Sequence, residues 1–160
     1  MSKKKPTADE MLIRMAGLCA ASEQCSADVR CKIYRQGFSA EEAERMIRYL
    51  QQNSYLDEAR YARAYAVDKV RFSGWGRLKI RLGLKGKGLG DSTVAQALMN
   101  IPDEDYGVAL QKVLVSKARN LDLSDVRDRQ KLYRQMSSRG FESQLIVRAM
   151  REYIRRGEKE

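Results

Sequence analysis

Between Lys69 and Leu89 the chain runs KVRFSGWGRLKIRLGLKGKGL, with seven basic residues (Lys69, Arg71, Arg77, Lys79, Arg81, Lys85 and Lys87) and no acidic one. The formal net charge of the 160 residues is +10, so this short stretch carries most of the excess. A single-signed run attracts polyanions, either the phosphates of a nucleic acid or the acidic groove of a protein. Phe72, Trp75 and the glycines Gly74, Gly76 and Gly83 interleave the cations, which separates the stretch from a merely solvated helix face. Trp75 has two readings: the hydrophobic anchor of its own unit, or a platform for a base or a partner's pocket. The candidate binding residues are therefore Lys69, Arg71, Trp75, Arg77, Lys79, Arg81, Lys85 and Lys87.

Catalytic chemistry finds no comparable foothold. The chain has no histidine, which removes the commonest general base and the commonest metal ligand. Cys19, Cys25 and Cys31 are odd in number and six apart, with no CxxC pair, so free and mostly buried thiols are expected rather than disulfides or a zinc site. Gly83 to Gly88 fits GxxxxG, but Leu89 stands where a phosphate-binding loop needs lysine, and Gly74-Trp75-Gly76 is too short for a dinucleotide fingerprint. The carboxylate clusters Glu41-Glu42-Glu44, Asp57-Glu58 and Asp103-Glu104-Asp105 all fall at predicted helix starts, where the helix dipole accounts for them. No catalytic residue, cofactor or metal is expected. Charged residues make up 32% and hydrophobic ones 43%, no apolar run approaches a membrane span, and MSKKKPTADE lacks the apolar core of a signal peptide. The expectation is a folded cytoplasmic protein.

The elements that must carry the cations emerge from an internal repeat. Gly37-Phe38, Gly88-Leu89 and Gly140-Phe141 lie 51 and 52 residues apart. Eight residues before each glycine stand Val29, Ile80 and Leu132, and four before it Ile33, Leu84 and Met136. After it come Ala43, Val94 and Ile146 at six, Ile47, Leu98 and Met150 at ten, and Leu50, Ile101 and Tyr153 at thirteen. These spacings put one face of a helix on the core on either side of the glycine, which closes the first helix with positive φ while the next residue turns back inward. A further helix precedes each pair: one capped by Thr7 with Glu10 and carrying Met11, Met15 and Leu18, one capped by Asp57 and carrying Tyr61, Ala62, Tyr65, Ala66 and Val70, and one after Pro102 carrying Tyr106, Leu110, Val113 and Leu114. Ser26 is expected to cap the second helix, Ser39 with Glu42 the third, and Ser124 or Asp125 the eighth.

The sequence thus predicts an all-α protein of three tandem three-helix repeats, stacked as an elongated array that small rotations between units could curve. The units are 1–53, with 1–6 as a flexible basic tail, 54–101, which carries the basic stripe, and 102–160. One segment pulls the other way. Leu78, Ile80, Leu82 and Leu84 alternate with Lys79, Arg81, Gly83 and Lys85, the pattern of a half-buried strand; the repeat register nevertheless assigns it to a helix.

Several segments resemble the RecX family of bacterial recombinase regulators. Tyr55-Leu56-Asp57-Glu58-Ala59-Arg60-Tyr61-Ala62 is similar to that family's Leu-Asp-acid segment with its following aromatic and alanine. Gly74-Trp75-Gly76-Arg77-Leu78-Lys79-Ile80, with Leu84 and Lys87-Gly88-Leu89, resembles its glycine-aromatic-glycine signature, and Ser26 to Ile33 with Gly37-Phe38 its more variable first repeat. The chain departs from the pattern at Arg77, where the family often has proline, at Asp28-Val29, where Glu-Leu is usual, and at Gly83, where a polar residue is common. The resemblance implies a helical-repeat protein without catalysis of its own, which binds the RecA recombinase filament on single-stranded DNA and restrains filament extension, ATPase and strand exchange. It also implies weak, non-specific single-stranded DNA binding by a monomer that works in DNA repair, recombination and the SOS response. Two other classes stay open on the residues: a sequence-non-specific DNA-binding module, and a helical scaffold for another acidic partner.

Overall fold

The computed structural model describes residues 4–157, and within them the chain forms nine helices and no strand. In order they are α1 (Ala8–Ala21), α2 (Ser26–Arg35), α3 (Ala40–Gln52), α4 (Glu58–Ser73), α5 (Arg77–Gly86), α6 (Asp91–Met99), α7 (Asp103–Ala118), α8 (Val126–Ser138) and α9 (Ser143–Gly157). None is long and apolar enough to cross a membrane. Capping boxes open α1 (Thr7 with Glu10) and α3 (Ser39 with Glu42), and the Asp57 and Asp125 carboxylates cap α4 and α8. At α2 the expectation fails. Cys25 occupies the cap position without a side-chain bond, and Ser26 is the first helical residue. Its N–H and its hydroxyl both donate to Glu58 Oε1, at 2.8 and 2.7 Å. A carboxylate borrowed from α4 is the stronger acceptor for the positive end of α2, so it takes the place a serine hydroxyl would have filled.

The repeat governs the core. Gly37, Gly88 and Gly140 have φ of 81°, 80° and 90°, and each donates its N–H to the carbonyl three residues back at 2.9 Å. Phe38, Leu89 and Phe141 then turn inward and are buried. Val29, Ile80 and Leu132, and likewise Ile33, Leu84 and Met136, have no exposed surface. The same register settles α5: Leu78 and Leu82, which alternation would have buried beside Ile80, are 47% and 73% exposed. Tyr153 and Leu18 are only half-buried, Cys19 taking the covered position at the end of α1. The expected free tail is anchored at its near end, where Pro6 is buried and Lys5 Nζ donates to the Gly37 carbonyl at 2.7 Å; residues 1–3 lie outside the described residues.

Two cores result rather than three. Helices α1 to α3, with Leu56, enclose one, and α4 to α9 share the other. The shared core is closed by a backbone crossing. The Gly76 N–H donates to the Arg139 carbonyl at 2.8 Å and the Leu78 N–H to the Gly140 carbonyl at 3.0 Å. A Cβ on Gly76 would sit 2.2 Å from the Gly140 carbonyl, so only glycine fits. The array exposes 10425 Å², against about 8,100 Å² for a compact chain of 18.3 kDa, which marks it as elongated.

Candidate functional site

The basic stretch begins in the last turn of α4, crosses the Gly74 turn and fills α5. Folding divides its cations into three groups. Four acquire carboxylate partners, three of them distant in the sequence. Arg71 bonds Asp105 (Nε–Oδ2 2.8 Å), Lys87 donates to both oxygens of Asp28 at 2.9 Å, Arg77 reaches Glu142 at 3.4 Å and Asp103 at 3.7 Å, and Lys85 pairs with Asp91. Lys69 and Lys79 each place an ammonium 4.5 Å from the Trp75 ring centre. Arg81 is exposed and meets no carboxylate among the described residues.

Arg77 is a joint rather than an open charge. Its guanidinium stacks on Tyr106 at 3.8 Å, and its backbone N–H donates to the Tyr106 hydroxyl at 3.1 Å. That hydroxyl donates in turn to Glu142 Oε2 at 2.7 Å. Burial pushes the Tyr106 hydroxyl well above the usual phenol range, and the adjacent Glu142 carboxylate adds to the effect. Lys87 and Asp28 join the first and second units in the same manner. Burial alone would raise the Asp28 carboxyl, but bonds from Lys87 and the Cys25 thiol outweigh it and hold it below the ordinary value, while the bond to Asp28 raises the Lys87 ammonium.

Trp75 is half-buried against the shared core, edge-on to Tyr65 with ring centres 6.4 Å apart. The packing reading of this residue holds, and the exposed part of the ring is bracketed by two ammonium groups. The Tyr65 hydroxyl lies over Gly83, where a Cβ would come within 2.3 Å of it; this gives the unusual glycine inside α5 a packing reason. Beside these aromatics runs a groove of about 490 Å³ between the end of α1 and the outer face of α4, lined by Glu23, Tyr61, Tyr65, Lys69 and Phe72. The cations left for a partner are thus Lys69, Lys79 and Arg81, with Trp75 and Tyr65 between the first two. Sequence reasoning missed Tyr65 beside Trp75, and the buried Tyr106 with Glu142 and the Asp28 carboxylate as partners of these cations. The partners of Arg71, Lys87 and Arg77 lie 34, 59 and 65 residues away, and only the Lys85–Asp91 pair, six residues apart, was within reach of a local reading.

Among the described residues no three side chains of histidine, cysteine, aspartate or glutamate converge as metal ligands, and all three thiols are free, with Cys31 exposed. The arrangement is suited to holding an anionic surface, through cations without carboxylate partners on a helical frame.

Comparison with known proteins agrees with this architecture. Residues 57–98, the span of α4 to α6, match the family model described as RecX, second three-helix domain. The regulatory protein RecX of Mannheimia succiniciproducens is 30% identical over 126 residues, covering 78% of this chain and 81% of that protein. The regulatory protein RecX of Clostridium acetobutylicum is 31% identical over 113 residues, 69% of this chain, which spans only 51% of that longer relative. The crystal structure of RecX from Lactobacillus salivarius superposes with a TM-score of 0.77 at 17% identity, covering 91% of this chain and 95% of that one, and so shares its all-helical repeat fold. The chain belongs to the RecX family of regulatory proteins.

Proposed function

We propose that this protein regulates a RecA recombinase by binding its filament on single-stranded DNA, restraining filament extension, ATPase and strand exchange. In this reading it acts in the cytoplasm, in DNA repair, recombination and the SOS response, as a monomer with no catalysis and no cofactor of its own. The units 1–53, 54–101 and 102–160 serve as consecutive segments of one rod laid along the filament. Family membership supports the choice of partner. The single structural observation that carries the reading is the open cation set Lys69, Lys79 and Arg81 around Trp75 on an elongated helical array. Such an array can follow a helical groove lined by phosphates or carboxylates.

The ion pairs sharpen what affinity for bare DNA should look like. Arg71, Arg77, Lys85 and Lys87 are already engaged by carboxylates, so only three cations of the stretch remain for phosphates. The slope of log K against log salt on single strands should be no steeper than about −2. The reading itself is tested by the single-stranded-DNA-dependent ATPase of the cognate recombinase with and without this protein. Inhibition at substoichiometric protein is expected, and an unchanged ATPase at equimolar protein overturns it.

A further inference from the structure

The three units are natural controls for one another, and α5 departs from its siblings on one face. Ile80 and Leu84 point into the core, while Lys79 and Gly83 flank Trp75 and Tyr65. At 100° per residue, Leu78, Arg81, Leu82 and Lys85, the last paired with Asp91, share the opposite side. Counting back from the repeat glycine, the position of Leu82 holds Cys31 in α2 and Arg134 in α8, and that of Leu78 holds Ala27 and Gln130. Only the middle unit sets two leucines on this face, and both stand in solvent.

The arginine on this face is also paired differently in the first and middle units. Arg81 occupies the repeat position of Arg30. In the first unit the carboxylate of Glu44, on α3, holds Arg30 through its Nε and a second nitrogen. The position of Glu44 in α6 is Ala95, so the same arginine in the same frame has lost its carboxylate. Two exposed leucines one turn apart, beside an exposed guanidinium that forms no salt bridge among the described residues, are complementary to an apolar cleft rimmed by carboxylates. A phosphate backbone would satisfy Arg81 but offer nothing to Leu78 and Leu82.

We propose that the outer face of α5 is a protein-docking ridge, in which Leu78 and Leu82 enter an apolar cleft of the partner and Arg81 takes a carboxylate at its rim. Under the function proposed above, from which this inference takes its partner, the cleft belongs to the recombinase. Nucleic acid meets the other flank of α5, at Lys69, Lys79 and Trp75. The two contacts are therefore separable by mutation.

The test compares Leu78→Ser/Leu82→Ser and Arg81→Glu with the unaltered full chain. Two readouts are taken: half-inhibition of the recombinase ATPase on single-stranded DNA, and binding to free oligothymidine by fluorescence anisotropy. The leucine variant should need roughly tenfold more protein for half-inhibition, or worse, while its oligothymidine affinity stays within about twofold. Arg81→Glu should weaken inhibition by a similar factor. Inhibition by the leucine variant at the original concentration overturns the ridge, as does parallel loss of oligothymidine binding, which would make this face a nucleic-acid site. If the double variant melts early, Leu82→Ala, at the more exposed of the two positions, carries the same comparison. Absence of inhibition by the unaltered chain would overturn the ridge together with the function it rests on, and is read directly from the control.

Discussion

Gly76 and Gly140 meet backbone to backbone where α5 leaves the Gly74 turn and the third unit begins its last helix. Added Cβ atoms would lie 2.2 Å from the Gly140 carbonyl and 2.4 Å from Lys79, contacts that neither backbone can relieve by a rotamer change. Gly76→Ala should therefore destabilise the protein by about 3 kcal/mol or more, measured by denaturant melting, although the substitution adds a single methyl group. The cations grade in the same way. Lys87→Ala removes both bonds to Asp28 at a half-buried junction and should cost about 1 kcal/mol, whereas Lys85→Ala, at an exposed pair with Asp91, should stay within about 0.5 kcal/mol. The roles of Gly37, Gly88 and Gly140 were legible from sequence because a helix stop and its φ are set within a few residues. Those of Gly76 and Lys87 were not, since what confronts them, Gly140 and Asp28, is distant in the chain and brought close only by tertiary packing.

At the scale of elements, α5 is where two periodicities competed. Alternating leucines would suit a strand, but a lone strand would leave its backbone groups unpaired, and the helix buries Ile80 and Leu84 together while satisfying them internally. Its two glycines are expected to behave oppositely. Gly86 has open space around it, so Gly86→Ala should stabilise by about 0.5–1 kcal/mol through helix propensity. Gly83 lies under the Tyr65 hydroxyl, so Gly83→Ala should forfeit that gain and shift the emission of Trp75, the single tryptophan, through its edge contact with Tyr65. Thermal melts and fluorescence of the two variants check the contrast. The helical assignment was legible because three copies of the unit voted together. The ring packed over Gly83 was not, since the sequence marks a glycine's freedom and not the neighbour that requires it.

Across the whole molecule, the first unit has its own core and meets the rest through polar clasps: Glu23 with Arg60, Glu58 with Ser26, and Asp28 with Lys87, around the buried Cys25. The Asp28 carboxyl is held below its ordinary value in the folded state, so its contribution is present above about pH 4, the unfolded value, and is lost as pH falls through the folded one. Thermal stability should decline below about pH 4, and Asp28→Asn should flatten that part of the profile. Lys87 stays protonated throughout this window, so the acid loss of the pair is set by Asp28; at the alkaline end the same pair is lost as pH rises through the folded value of Lys87, which Asp28 holds above the ordinary one. The central claim is that the open cations of the middle unit, not bulk charge, hold the recombinase filament. It is tested most directly by comparing Lys69→Gln/Lys79→Gln/Arg81→Gln with Arg127→Gln/Lys131→Gln/Arg134→Gln, three exposed cations of α8, in the recombinase ATPase assay. Each variant loses three charges. The expected result is inhibition weakened at least about tenfold by the first and within about twofold of the original for the second, and equal loss in both would contradict the claim.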